Sequence, residues 1–530
     1  MKTLRQIISV VTRKRISKVE IFDKTLLSTE DSKFTELYNA IESDQVKTDS
    51  EAAQLIYNDP NSVNYRKLKS RFLKRLLNTL FFLDINGSNK GDDYRYNHYS
   101  CTKALMHAKL LRFFGAFESA SKIIKLKYND AKKFAFYDIL AEYSWFLIQY
   151  YSLIGNVKSL QQERTNYYKY KKIADSEAQC QLIYYVSIVE FIKSSSVSQH
   201  AIDQLKQGIV DIEVEVAKHP TAINIFNQQM LKFNYYETIY DWENLLEECD
   251  KAYKELSRHK YYNKTKNHLI TFKKLVACLN LKRFNEGVKL FDKSKSAYAE
   301  GSTNWFVIRR YGELLAIHSD DRELAYSIYN ESNSLRVAKF MNKPTQEFWS
   351  TIRAYLHFLI QVHNEEHLVE HDAAFKKFRL YKFLNEVPIY SKDKSGNNVA
   401  LLIIQYMFLL IDGDYESIIQ KMDSLKVYRS RYLKEDMYKR AYTFIGMLIK
   451  VEKDSFVYKK AKKSCAKEYN LLQHHTSSDQ EKNPEGTSSH WPIQESEIIP
   501  YEKLWYYILK ILEYNDLADE VKARRKSIAE

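Results

Sequence analysis

The chain has 530 residues, of which 45% are hydrophobic, 12 are glycine and 7 are proline. So few turn-forming residues exclude a β-sandwich, a barrel or a doubly wound fold, and the sequence predicts an all-α protein. The 81 basic residues outnumber the 67 acidic ones, and the formal net charge of +14 favours either an anionic partner or simply a basic soluble surface.

Residues 1–100 are predicted to form a small helical module. Thr48-Asp-Ser-Glu51 has the pattern of a capping box that opens a short helix, and Asn58-Asp-Pro60 ends it. After a loop from Asn58 to Asn64, the next helix is strongly amphipathic. Its predicted core face carries apolar residues at helical spacing, namely Tyr65, Leu68, Phe72, Leu76 and Leu80.

The other side of this amphipathic helix is basic. Lys67, Arg71, Lys74 and Arg75 are the residues that we predict to contact an anionic partner. A short helix followed by a basic amphipathic helix resembles a helix-turn-helix or winged-helix unit, whose second helix enters the major groove of DNA. The alternative is a basic face that is solvated or that covers an acidic neighbour.

A turn pattern recurs along residues 101–470. In Gly413-Asp-Tyr-Glu-Ser-Ile418, Gly413 supplies the left-handed residue that closes one helix and Asp414 caps the next. Related turns recur at intervals of about 40 residues. They begin at Gly115, Gly155, Ser196, Tyr240, Lys282, Asp320, Asn364 and Lys453. Such a period predicts stacked pairs of helices.

Two further signals agree with this period. Pro220-Thr221 and Pro344-Thr345 are each predicted to start the first helix of a pair, with proline at the first helical position. The chain therefore resembles tetratricopeptide-type α-solenoids, in which small residues such as Ala120, Gly287 and Ala325 allow close helix approach. The resemblance implies a right-handed superhelical solenoid of about nine helix-turn-helix repeats over residues 101–470, which binds peptides or proteins in a groove or holds other domains.

The rest of the chain is predicted to consist of loops and a cap. Asn385 to Asn398 is an insertion loop, and residues 471–500 form a flexible polar loop. Residues 501–530 are predicted to be a final pair of capping helices, with a turn at Tyr514 to Ala518.

The motifs that signal catalysis are sparse. Glycine-rich nucleotide motifs and the GxSxG elbow are absent from the sequence. His363-Asn-Glu-Glu-His367, which His371 continues, matches a zinc-protease pattern, but it falls on a repeat turn where chain reversal separates the two ends. We predict no catalytic residue, no cofactor and no metal. The cysteines are predicted to be buried, reduced thiols: Cys101, Cys180, Cys249, Cys278 and Cys465.

These patterns predict a cytoplasmic, non-enzymatic protein that binds a protein or peptide partner as an adaptor, scaffold or sensor. The alternative is a DNA-binding transcriptional regulator, in which the N-terminal helix contacts nucleic acid and the solenoid senses a signal. The longest near-apolar stretch, Val399 to Ile411, is shorter than the ~18 residues of a membrane span, so no membrane partner is predicted. The oligomeric state is left open.

Overall fold

The structure is a computed structural model, and it describes most of the chain. The described residues are 4–8, 21–22, 32–43, 45–82, 93–193, 199–262, 266–370, 372, 375, 397–433, 438–474 and 491–529. Most of the predicted insertion loop, His371 and the stretch 475–490 of the predicted polar loop lie outside them. The described residues are overwhelmingly helical and contain no β-strand, so the predicted all-α class is confirmed.

The chain divides into two compact units, Met1–Ala174 with Tyr261–Asn263, and Asp175–Lys260 with Lys264–Glu530. The helices that begin in the first unit are α1 (Lys33–Glu42), α2 (Asp49–Tyr57), α3 (Val63–Leu80), α4 (Asp93–Phe113), α5 (Phe117–Lys133), α6 (Tyr137–Leu153) and α7 (Val157–Lys193). The boundary between the units falls inside α7.

The remaining helices belong to the second unit. They are α8 (Gln199–Lys218), α9 (Ala222–Thr238), α10 (Trp242–Ser257), α11 (Asn267–Asn280), α12 (Phe284–Ser294), α13 (Thr303–His318), α14 (Arg322–Asn333), α15 (Leu335–Ala338), α16 (Lys343–His363), α17 (Asn397–Ile411), α18 (Tyr415–Tyr432), α19 (Lys439–Lys453), α20 (Tyr458–Ser464), α21 (Ala466–His474) and α22 (Tyr501–Ala529). Short 3₁₀ turns occupy Lys295–Ala297 and Glu366–Val369.

The N-terminal helices α1 to α3 pack around one small apolar core. The predicted capping box is present, because Thr48 accepts from the amide of Glu51 and the Glu51 side chain accepts from the amide of Thr48. The loop before α3 is shorter than predicted. Ser62 caps α3 by accepting from the amide of Tyr65, so the helix begins at Val63.

The predicted repeat turns share one backbone geometry. Where the structure describes them, each contains a residue with positive φ: Gly115, Gly155, Tyr240, Lys282, Asp320, Asn364 and Gly413. The amide after this residue donates to the carbonyl five positions back, as Asp414 does to Leu409 at 2.9 Å. Near Lys453 the left-handed residues are Ser455 and Phe456. The turn predicted at Ser196 lies outside the described residues.

Three local predictions need correction. Ala135 has φ 56° and separates α5 from α6, so an additional turn lies between the predicted ones at Gly115 and Gly155. The turn predicted at Tyr514 is absent, because α22 runs through it without a break. Helix α9 begins at Ala222 and not at Pro220, because the hydroxyl of Thr221 caps the helix by accepting a hydrogen bond from the amide of Asn224.

The core of the second unit combines large and small side chains. Trp349 and Phe358 are fully buried, and Gly287 lies so close to Leu315 that a methyl group added there would be 2.7 Å from a leucine methyl carbon. All five cysteines of the chain are buried and form no disulfide, as predicted.

Candidate functional site

The residues predicted to contact an anionic partner lie on α3. Lys67, Arg71 and Lys74 are exposed to solvent. Arg75 is half-buried, and its guanidinium carbon lies 4.2 Å from the centroid of the Phe34 ring, a cation–π contact within the N-terminal core. The structure therefore leaves three of the four predicted side chains on the surface, while the fourth packs against α1.

One further basic residue of α3 is neutralised by its neighbour. The Lys69 ammonium lies 2.6 Å from the carboxylate of Asp49, which also accepts a 2.9 Å hydrogen bond from the hydroxyl of Tyr65. These two hydrogen bonds lower the pKa of Asp49, whereas burial and the same carboxylate raise the pKa of Tyr65 to about 12. Lys69 thus fastens α3 to α2.

A second candidate site lies where the chain's own C-terminal residues contact distant helices. The segment Trp491–Pro500, called here the C-terminal segment, has no regular secondary structure, yet most of its residues are buried. Its hydrogen bonds reach α11, α13 and α19. These three belong to the helices of the second unit that precede a repeat turn from Lys282 onward, called here the first helices, which are α11, α13, α16, α17 and α19.

Two polar side chains of the first helices bind the backbone of the C-terminal segment. The amide of Ile493 donates a 2.7 Å hydrogen bond to the side-chain oxygen of Asn280, at the end of α11. The imidazole of His318, at the end of α13, donates a 2.8 Å hydrogen bond through Nε2 to the carbonyl oxygen of Glu497. These bonds satisfy buried polar groups that the irregular segment could not pair by itself.

The acidic side chains of the C-terminal segment meet basic partners. Glu495 pairs with the guanidinium of Arg310 at 2.6 Å and accepts a 2.8 Å hydrogen bond from the hydroxyl of Tyr311. Glu497 accepts two hydrogen bonds from Arg440 of α19, one from Nε at 2.8 Å and one from Nη2 at 2.6 Å. This forked geometry fixes the orientation of the carboxylate relative to the guanidinium.

Arg440 and Glu497 are the buried centre of a larger ionic cluster. The same Nη2 of Arg440 also contacts Glu502 at 2.8 Å, and Glu502 in turn pairs with Lys282 at 3.0 Å. Burial favours the neutral form of both acids, and at Glu497 it raises the pKa. At Glu502 the positive charges of Arg440 and Lys282 outweigh the effect of burial, so the pKa of Glu502 is lowered. Two carboxylates that lie 57 and 62 residues along the chain from Arg440 therefore meet at its guanidinium.

Helix α22 extends these contacts along the first helices. Its Tyr501 stacks on Phe444 of α19, with ring centroids 4.6 Å apart. Its Tyr507 lies against Phe358 of α16 and hydrogen-bonds with His363 Nε2 at 2.8 Å. The C-terminal segment and α22 together cover the ends of several first helices.

The zinc-protease pattern does not form a shared helical face. Helix α16 ends at His363, Asn364 takes a left-handed conformation, and His367 lies in a 3₁₀ turn. The predicted chain reversal is therefore confirmed. In the described part of the chain, no group of three or more histidine, cysteine or acidic residues could hold a metal ion.

The contacts of Asn280, His318 and Arg440 are not among the predicted ones, because their partners lie far along the chain. A signal was present in the C-terminal segment itself. Its apolar Ile498-Ile499 pair is bounded by Pro492 and Pro500, which is unlike the polar tract before it.

Comparison with protein-family models, with curated proteins and with solved structures found no match for this chain. Within the described ranges, no helix has the length and apolar character needed to cross a membrane.

Proposed function

We propose that the protein is a non-enzymatic α-solenoid of tetratricopeptide-like helix pairs that binds protein or peptide partners. Two observations support the solenoid arrangement. The turns between paired helices share a left-handed closure, and within each unit most successive helices pack against each other. In this arrangement the first helices line one side of the stack.

The observation that carries the binding function is the position of the C-terminal segment. An irregular stretch of chain contacts the first helices, and their side chains bind both its backbone and its acidic groups. Backbone contacts fix the position of a bound peptide, and forked arginine–carboxylate pairs add specificity. The face lined by Asn280, Arg310, His318 and Arg440 thus has the chemistry to bind an acidic peptide.

The C-terminal segment is, in this proposal, an internal ligand of the peptide-binding face. A partner with a similar acidic and apolar pattern would use the same contacts. Because the segment is tethered to the chain, its effective concentration at the face is high, so an external peptide competes with it. The protein would then act as an adaptor whose binding face is regulated by its own C-terminus.

The test uses the full chain with a protease recognition sequence placed within residues 475–490. After cleavage, we expect the C-terminal fragment to remain bound, since its contacts do not depend on that connection. A fluorescent synthetic peptide with the sequence of residues 491–511 should then exchange into the site, as measured by fluorescence anisotropy. A peptide with Glu497→Gln should bind more than about tenfold more weakly, because it loses a charge-assisted pair.

The matched control is a peptide with Tyr506→Ala, which removes an exposed ring and should bind as the unmodified peptide does. Loss of helical structure on release of the fragment, or no exchange at any peptide concentration, would show that the segment is only a part of the fold. Either result removes the support for a peptide-binding face.

A further inference from the structure

The solvent side of α3 carries an apolar stripe. Leu73, Leu77 and Leu80 are 54%, 51% and 55% exposed, and their spacing of four and then three residues places them in one line along the helix. Phe81 and Phe82, directly after the helix, are also exposed. These side chains are separate from the buried face of α3, so the helix has two apolar faces, one of which is exposed among the described residues.

Three of the exposed basic residues of α3 form a second stripe beside the leucines. Lys67, Arg71 and Lys74 repeat the same spacing of four and then three residues. Helix α3 itself contains no acidic residue. The solvent side of α3 is therefore amphipathic in its own right, with leucines along one edge and cations along the other.

We propose that this side of α3 docks on the surface of an anionic lipid membrane. In that position the leucine stripe and the two phenylalanines enter the boundary between headgroups and acyl chains, while the basic stripe contacts lipid phosphates. The long stems of Lys67 and Lys74 allow their ammonium groups to stay at the headgroups while the helix lies in the plane of the membrane. A helix bound in this way lies on the membrane surface and does not cross the bilayer.

The apolar stripe is what favours a membrane over a nucleic acid. DNA would attract Lys67, Arg71 and Lys74 but would leave the exposed leucines in water. A lipid surface removes apolar area from water and neutralises the cations at the same time. The observed pairing of the two stripes on one side of one helix fits the second environment.

The test is vesicle flotation of the full-length protein. We expect binding to vesicles of phosphatidylcholine mixed with phosphatidylserine and none to phosphatidylcholine alone. Lys67→Gln/Arg71→Gln should lower the partition coefficient by about 30-fold, since each basic residue near an anionic surface contributes about 1 kcal/mol. Leu73→Ser/Leu77→Ser should lower it by about tenfold or more, through loss of buried apolar area.

Matched controls come from exposed residues elsewhere in the first unit. Leu126→Ser/Leu153→Ser and Lys158→Gln/Lys172→Gln make the same chemical changes on α5, α6 and α7, and should leave vesicle binding unchanged. All tested positions are exposed, so the variants should keep the unfolding midpoint of the unmodified protein. That midpoint is measured alongside each binding curve.

Insertion is measured separately with an environment-sensitive fluorophore. Because the native cysteines are buried, Leu77→Cys provides the one readily labelled thiol, and its emission should shift to the blue on anionic vesicles. Binding of double-stranded DNA that the leucine changes do not weaken, together with no vesicle binding, would overturn the proposal and assign α3 to nucleic acid. Vesicle binding without a fluorescence shift would overturn the insertion of the leucines.

Discussion

The guanidinium of Arg440 and the carboxylate of Glu497, 57 residues apart in the chain, form a forked ion pair that is almost wholly inside the protein. Arg440 is 2% exposed and Glu497 is 1% exposed. Removal of two charges from water is costly, and the pair is stable only because each partner neutralises the other and their hydrogen bonds are satisfied. The ion pair thereby fixes the C-terminal segment to α19.

Replacement of Arg440 by methionine is expected to lower the free energy of unfolding by about 3–5 kcal/mol, because it leaves a buried carboxylate without a partner. Equilibrium denaturation in urea measures the loss. The double change Arg440→Met/Glu497→Met should recover part of it, since one uncompensated charge is removed.

The control for Arg440 is an ion pair at the surface. Arg283 and Glu243 are 2.7 Å apart, with 42% and 49% of their side chains exposed, so Arg283→Met should cost at most about 1 kcal/mol. An equally small loss for Arg440→Met would mean that the buried pair does not hold the C-terminal segment in place.

The buried His318 should make the folded protein less stable in acid. Burial, aided by the nearby charges of Arg440 and Lys282, lowers its pKa from 6.5 to about 4, although its bond to the Glu497 carbonyl and the charge of Glu502 oppose the shift. As the pH falls below 6.5, the unfolded chain binds a proton that the folded chain does not, so stability decreases down to about pH 4. Between pH 6.5 and about pH 4, the free energy of unfolding should decrease by about 3 kcal/mol in total.

The measurement compares urea denaturation of the unmodified protein and of His318→Gln across this pH range. The variant should lose about 3 kcal/mol less stability between the two ends of the window. His200→Gln, at an exposed position of α8, should follow the unmodified protein at every pH. Parallel curves for His318→Gln would show that His318 does not stay neutral in the folded state.

Glu313 should have the opposite effect on how the free energy of unfolding depends on pH. It is fully buried on α13, neither of its carboxyl oxygens has a hydrogen-bond partner among the described residues, and burial raises its pKa well above 4.5. Below pH 4.5 Glu313 is protonated in both the folded and the unfolded chain. Above pH 4.5 the unfolded chain releases this proton while the folded chain keeps it, so the free energy of unfolding decreases as the pH rises. Glu313→Gln should therefore be increasingly more stable than the unmodified protein as the pH rises from 4.5 to 7, and a constant difference would contradict this.

The turns were predictable from sequence because their signals are local. Gly413 favours the end of one helix and Asp414 favours the start of the next, so two adjacent residues specify the turn. The capping box at Thr48 is specified by only four consecutive residues. The turn at Ala135 was not predictable, because it lies between two phenylalanines and lacks a residue type that favours positive φ.

The contacts of the C-terminal segment were beyond sequence analysis for a different reason. Ile493 pairs with Asn280 across 213 residues, and Glu495 pairs with Arg310 across 185. No local pattern specifies a partner at that distance. The basic residues of α3 were predictable as a set. Their position beside the exposed leucines required the structure, because spacing alone predicts Leu80 on the core face, whereas its side chain is exposed.

Close helix packing at Gly287 gives the last prediction. A methyl group there would lie 2.7 Å and 2.8 Å from the two terminal carbons of Leu315, and 3.2 Å from Cys278 Cβ. Both neighbours are fully buried and cannot move aside without disturbing the core. Gly287→Ala should therefore lower the free energy of unfolding by about 1–3 kcal/mol, measured by urea denaturation.

The sign of the Gly287→Ala effect decides between packing and helix propensity. Alanine in the middle of a helix is intrinsically better than glycine by about 0.5–1 kcal/mol, so without the close contact the variant would be more stable. Lys289→Ala, at an exposed position of the same helix α12, should change stability by less than about 0.5 kcal/mol. A stabilised Gly287→Ala would show that α12 can move away from Leu315, and that the helices at this position are not held in close contact.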